Sequence, residues 1–247
     1  MIRTEHLTKK FGGTCAVEDL NLDIAAGEFF AFLGPNGAGK TTTIKLLTGL
    51  LKPTSGRAIV AGFDIQKNPM DARRLVSYVP DLPFLYDKLE PMEFMHFVGQ
   101  LYGMPADAVE RIGAEMFDLF DLNESRPKLI ENLSHGTRQR LVIASALLHD
   151  PKVIIIDEPM VGLDPRSARV VKNVLKERSR MGVTVFLSTH ILHVAEELAD
   201  KIGILNRGKL IAVGTMEELR AASGVVGALE DTFLEMTRTQ EELETTP

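Results

Sequence analysis

The chain has a single cysteine among its 247 residues, Cys15, so no internal disulfide can form and a reducing environment suits it. It also lacks the roughly 20 consecutive apolar residues that a membrane-spanning helix needs. The longest stretch free of charge, Met181 to Ala195, is fifteen residues and is broken by Ser188, Thr189, His190 and His193. Residues 1 to 13 are charged throughout, with no apolar core, so a secretory leader is not expected and a soluble, cytoplasmic chain is. Nor are basic residues in excess. The 28 Lys and Arg against 34 Asp and Glu leave a net charge of −6. That balance speaks against a nucleic-acid footprint, because gripping a phosphate backbone takes concentrated cations. There is no internal repeat and no low-complexity tract. What is there is ordinary globular material, 45% hydrophobic and 25% charged, of a length for one domain or one with a subdomain.

The hydrophobic pattern changes period along the chain. Glu28 to Leu33, Val153 to Asp157 and Val183 to Ser188 are short apolar runs ending in small or polar residues, as strands buried on both faces do. Helical stretches alternate with them, which predicts an α/β sheet. Between Phe84 and His149 strand signals vanish and apolar residues recur at helical spacing, as in Phe94, Phe97, Val98 and Leu101, which predicts a helical insertion. After Asp200 the pattern returns to β, with Asn206, Arg207 and Gly208 as a hairpin turn. A helix follows from Thr215, whose hydroxyl suits an N-cap ahead of two glutamates.

Two motifs carry chemistry. Gly34, Pro35, Asn36, Gly37, Ala38, Gly39, Lys40 and Thr41 fit G-x-x-x-x-G-K-[ST], directly after a predicted strand and directly before a helical run from Thr41 and Thr42 through Leu51. Such a loop lets backbone N–H groups curl round phosphates, a lysine reach the β and γ phosphates, and a hydroxyl meet Mg²⁺. The bland alternative is a glycine-rich strand-to-helix turn. The run Val153 to Glu158 is an apolar strand with two carboxylates at its C-terminal end, where open α/β sheets place ligands. Asp157 there suits a metal and Glu158 a water nucleophile, although an acidic pair after an apolar strand is also a common strand-to-loop transition.

With these in place the chain, from about residue 2 to 236, resembles an ATP-binding cassette, the nucleotide-binding subunit of ABC transporters. Leu133 to Arg140 (LSHGTRQR) is similar to the family signature LSGGQ; Gly162, Leu163 and Asp164 resemble its D-loop; Ser188, Thr189 and His190 resemble its switch histidine. Phe11 stands where the family stacks an aromatic ring on adenine. Tyr78 to Pro83 resembles the Q-loop, with Asp81 in place of glutamine as an oxygen donor to Mg²⁺ or, on the plainer reading, an exposed loop residue. The resemblance implies a P-loop NTPase (RecA-like) α/β core with an N-terminal antiparallel β region and an inserted α-helical subdomain. Its divisions would be 1–84 with 150–214, 85–149, and an acidic tail over 215–247. It implies Glu158, His190 and Lys40 as catalytic residues, and Thr41, Asp81 and Asp157 on the metal side. Ser134, His135 and Gly136 would bind the γ-phosphate held by a second subunit.

In the signature, His135 replaces a glycine and Thr137 a glutamine. If anion binding rests on Ser134 and backbone amides at a helix N-terminus, both changes are tolerable, though His135 adds bulk near phosphate. The expected activity is ATP hydrolysis with Mg²⁺, driving movement, with export favoured, through a separate membrane permease. The cassette would pair as a homodimer or heterodimer, sit on the inner face of the membrane through that permease, and need no nucleic acid. The run 229–237 (LEDTFLEMT) resembles endings frequent in cassettes of the ABC-2 export class. The alternatives are a cassette ATPase that does not transport and a weakly hydrolysing regulatory cassette. Charge is distributed accordingly: +2 over residues 1–84, −6 over 85–135, +4 over 136–214 and −6 beyond. Positive surface is thus expected where a nucleotide sits, and negative surface where protein partners meet.

Overall fold

The computed structural model describes residues 1–82, 84–223, 229–231, 233–235 and 237. Two sheets organise it. An antiparallel sheet holds β1 (Ile2–Phe11), β2 (Thr14–Ile24), β4 (Ser55–Val60) and β5 (Phe63–Asp64) in the order β2-β1-β4-β5. A second sheet holds β3 (Phe29–Leu33), β6 (Val76–Val79), β7 (Val153–Asp157), β8 (Thr184–Thr189), β9 (Lys201–Asn206) and β10 (Lys209–Gly214) in the order β10-β9-β3-β8-β7-β6. Its pairings are parallel except for the hairpin of β9 with β10. Helices α1 (Lys40–Leu47), α2 (Pro69–Arg74), α3 (Pro91–Leu101), α4 (Ala106–Leu119), α5 (His135–Leu147), α6 (Pro165–Arg180), α7 (Leu192–Leu198) and α8 (Met216–Ser223) complete the elements named here.

Every residue of β3, β7 and β8 is buried, as expected of strands covered on both faces. The period of two then sorts the side chains of β3. Phe30 and Phe32 join Phe186 in a cluster with Ile44 and Leu47 of α1 and the inner face of the antiparallel sheet. The Phe32 and Phe186 rings stand 5.2 Å apart. Phe29 points the other way, into the cluster built by α3, α4 and α5, while Ala31 and Leu33 pack on Ala195 and Leu219. Burying one phenylalanine side chain contributes about 2–3 kcal/mol, so this short strand ties three layers together.

Boundaries shift for identifiable reasons. The helix expected to run through Leu51 stops at Leu47, because Thr48 caps it and Gly49 turns the chain at φ 68°. The strand expected from Val183 starts at Thr184, because the Val183 amide is spent on the carbonyl of Arg178 in the turn that closes α6. Thr215 does cap α8, reciprocally. The Thr215 hydroxyl accepts from the Glu218 amide at 3.2 Å, and the Glu218 carboxylate accepts from the Thr215 amide at 2.8 Å. Of the tail beyond, residues 224–228, 232, 236 and 238–247 lie outside the described residues, as does Pro83. Leu229 is buried in the cluster with Ala31 and Leu33.

Past the end of α5, His149 lies at the junction between α3 and β6. Its ring stacks on that of Tyr102 with centroids 3.5 Å apart and planes 10° off parallel, and Nε2 lies 3.4 Å from the Ser77 hydroxyl. Burial pushes the imidazole down to about 4, partly opposed by Asp150. The fold therefore favours the neutral ring, whereas an unfolded chain takes up a proton near 6.5. Stability from this group is complete above pH 6.5 and is lost as pH falls toward 4. Urea unfolding across that window should show His149→Gln with a shallower pH slope than wild type, by up to about one proton. Identical slopes would refute the assignment.

Candidate active site

At the C-terminal edge of the parallel sheet, residues 34–39 leave β3 and enter α1 as a tight loop. Two glycines are dictated by crowding. A Cβ on Gly34 would strike the carbonyl oxygen of Leu205, and one on Gly39, at φ 109°, the carbonyl oxygen of Ala16. The loop is thus clasped between the end of β9 and the start of β2. The Gly208 amide donates to the Ala38 carbonyl at 2.8 Å and the Glu18 amide to the Gly208 carbonyl at 2.8 Å. No side chain caps α1, so its first-turn amides face outward as anion donors.

A cavity of 260 Å³ opens in front of this loop, lined by Asn36, Gly37, Gly39, Lys40, Thr41 and Thr42, by the carboxylates Asp81, Asp157 and Glu158, and by Ala16. Gly34, Pro35 and Ala38 shape the loop from behind. The Lys40 ammonium donates to the Gly34 carbonyl at 2.7 Å and that of Pro35 at 3.2 Å, and lies 3.8 Å from Glu158 Oε1. Burial pulls its pKa below the usual lysine range, while Glu158 and then Asp157 hold it up.

The carboxylates are tightly held. Asp157, almost fully buried, accepts the Thr41 hydroxyl on Oδ2 at 2.8 Å and the Ser188 hydroxyl on Oδ1. Glu158, in the left-handed region at φ 49°, receives His190 Nδ1 on Oε1 at 2.8 Å. Its other oxygen accepts the Thr189 hydroxyl at 3.1 Å and the His190 amide at 3.4 Å. Backbone strain of this kind concentrates at functional sites. Asp81 reaches the cavity wall with one oxygen bound to the Leu82 amide at 2.8 Å. Burial, then the charges of Asp157 and Asp81, push the neighbouring Tyr78 phenol up to about 12. These are hard oxygen donors, suited to Mg²⁺. Among the described residues no three His, Cys, Asp or Glu side chains converge as a metal-holding group.

The family model for "ABC transporter" matches residues 17–161. This chain belongs to that family. It is 35% identical over 96% of its length to the linearmycin resistance ATP-binding protein LnrL of Bacillus subtilis, spanning 75% of that protein. It is 38% identical over 90% of its length to the daunorubicin/doxorubicin resistance ATP-binding protein DrrA of Streptomyces peucetius, spanning 68% of it. A solved ATP-binding subunit of an ABC transporter superposes with TM-score 0.91 at 32% identity, covering 96% of this chain and 99% of that one. A dimeric cassette in a post-hydrolysis state with ADP and Pi gives 0.80 at 26% identity, covering 87% and 99%. The fold is that of the cassettes, and the enzyme class is that of an ABC-type ATPase.

Two predicted parts of the cassette's site stand away from the cavity wall. Phe11, at the end of β1, is half exposed, with the Lys9 ammonium 5.0 Å from its ring centre. Ser134, His135 and Gly136 lie at the start of α5. Ser134 caps that helix, accepting the Thr137 amide at 3.2 Å and sharing a hydrogen bond with the Thr137 hydroxyl at 2.8 Å. Thr137 therefore engages the Ser134 hydroxyl directly. The His135 ring packs against Gly162, close enough that a Cβ there would lie 2.8 Å from it. Asp164 caps α6 and is held below the usual aspartate range first by the Ser167 hydroxyl. Sequence reasoning missed Ala16, which lines the cavity through its place beside Gly39, and the grip of Ser188 and Thr189 on the two carboxylates.

Proposed function

We propose that this cassette is the ATP-hydrolysing subunit of an exporter, closing with a second cassette on two Mg·ATP and working a separate membrane permease. The observation that carries this reading is the division of the site. The phosphate cavity has its lysine, hydroxyls and carboxylates in one place, whereas Ser134 presents the N-terminus of α5 elsewhere. A second subunit's Ser134, His135 and Gly136 would complete each cavity. Relatives named for linearmycin, daunorubicin/doxorubicin and bacitracin support export by a cassette of the ABC-2 kind. No helix among the described residues is long and apolar enough to cross a membrane, so a permease would supply the passage and place this chain on the inner membrane face. Residues 1–84 with 150–214 would form the nucleotide-binding core, 85–149 the helical subdomain, and 215–247 an acidic tail.

In this reading Lys40 and the first-turn amides of α1 bind the β and γ phosphates, and Phe11 stacks on the adenine. Thr41, Asp157 and Asp81 would hold Mg²⁺, which when bound neutralises charge on phosphate oxygens. Glu158 orients water for in-line attack and accepts its proton, with His190 bracing Glu158 from the solvent side. Catalysis is then mostly positioning and charge stabilisation. Purification of the tagged chain from gently solubilised membranes tests the assignment: an integral-membrane subunit should copurify. Recovery with ribosomes or DNA alone would overturn it.

A further inference from the structure

In the parallel pairing of β7 with β8, Asp157 lies opposite Ser188, and the Glu158 amide donates to the Ser188 carbonyl at 3.0 Å. Asp157 ends β7 and Glu158 leaves it in the left-handed region at φ 49°, so two consecutive carboxylates each come to lie beside one of two consecutive hydroxyls. Ser188 meets Asp157, and Thr189 meets Glu158. The Thr189 hydroxyl has no choice of role. It accepts the Ile191 amide at 3.0 Å and an ionised carboxylate can only accept, so its proton goes to Glu158 Oε2.

Two groups thus orient Glu158, and they differ in rigidity. The His190 side chain is 49% exposed, whereas Thr189 is 1% exposed and fixed within the sheet. We propose that Thr189 is a positioning residue for hydrolysis: its buried hydroxyl pins Oε2 of Glu158 and so fixes the carboxylate plane, with Oε1, which meets His190 Nδ1 at 2.8 Å and lies 3.8 Å from the Lys40 ammonium, left to accept from the attacking water through its remaining lone pair. The inference rests on Glu158 being the water-orienting group. The balance of the step is unchanged: water's oxygen bonds to the γ-phosphorus, the bond to the bridging oxygen breaks, and the water proton passes to Glu158. Thr189 exchanges no proton.

The test is a pair of variants read by ATP titration. Thr189→Val removes the donor at nearly constant volume. It should lower kcat about 10- to 100-fold, the range for a lost hydrogen bond to a charged group, while KM and the affinity for a fluorescent ATP analogue stay within about twofold. Thr189→Ser keeps the hydroxyl and should restore most of the rate. Because valine also deprives the Ile191 amide of its acceptor, a third variant guards against simple disruption of the strand end. Glu158→Gln/Thr189→Val should accumulate the ATP-bound dimer as fully as Glu158→Gln alone. An unchanged kcat in Thr189→Val, a matching loss of affinity, failure of serine to rescue, or loss of the trapped dimer in the double variant would each overturn the proposal. If Glu158→Gln itself turned over like wild type, the reading beneath it would fall, in an arm separate from the Thr189 measurements.

Discussion

Glu158→Gln is expected to lower steady-state ATP hydrolysis about 10²- to 10⁴-fold, the usual contribution of a positioned general base, or roughly 3–5 kcal/mol on the barrier. ATP binding should be nearly untouched. The amide is isosteric, so it can still accept the Thr189 hydroxyl and lie beside His190, and in the proposed reading the phosphates are held by Lys40 and α1 rather than by residue 158. What is lost is a base able to take the proton of water. Binding without turnover should trap the closed pair of cassettes, visible as an ATP-dependent shift from monomer to dimer on gel filtration that ADP does not produce. Wild-type hydrolysis in this variant would sink the role given to Glu158. A variant that is inactive yet stays monomeric with ATP would leave the catalytic role standing and remove the dimer.

Most of this site is readable in the chain because its parts are local. The glycines of the loop, Lys40 and Thr41 fall within eight consecutive residues, and the run Val153 to Asp157 announces its own strand and the carboxylates at its end. Local chemistry of this kind survives in one dimension. What stays hidden depends on partners far along the sequence. Ala16 lines the cavity only because its carbonyl lies against Gly39, and Gly34 must be glycine because Leu205 comes within its Cβ position. The Ser188 and Thr189 hydroxyls look like ordinary strand-end residues until the register of β7 against β8 sets each beside its carboxylate. Strand β6, four residues long and at the sheet edge, carries too little periodicity to be recognised, yet its end delivers Asp81 to the cavity. Helix ends are equally contextual: Gly49 stops α1 where the apolar pattern runs on to Leu51.

Lys40→Ala should fail one step earlier than Glu158→Gln. The Lys40 ammonium donates to the carbonyls of Gly34 and Pro35, with Glu158 3.8 Å away. Its burial disfavours the charge, and Glu158 and Asp157 are the groups that sustain it. Bound phosphates would replace that support with stronger charge-assisted hydrogen bonds, worth about 1.5–3 kcal/mol each. Losing contacts to two phosphates should weaken ATP binding about 10²- to 10⁴-fold in a fluorescence titration and abolish turnover, with circular dichroism unchanged. Lys40→Arg should not rescue, because a planar fork cannot occupy the space of a compact ammonium between Gly34 and the cavity. The order of the two losses is itself a measurement. If Lys40 acts in binding and Glu158 after it, Lys40→Ala placed on Glu158→Gln must abolish the ATP-dependent dimer. Persistence of that dimer would mean that the loop amides alone hold the nucleotide and that the lysine serves only the chemical step.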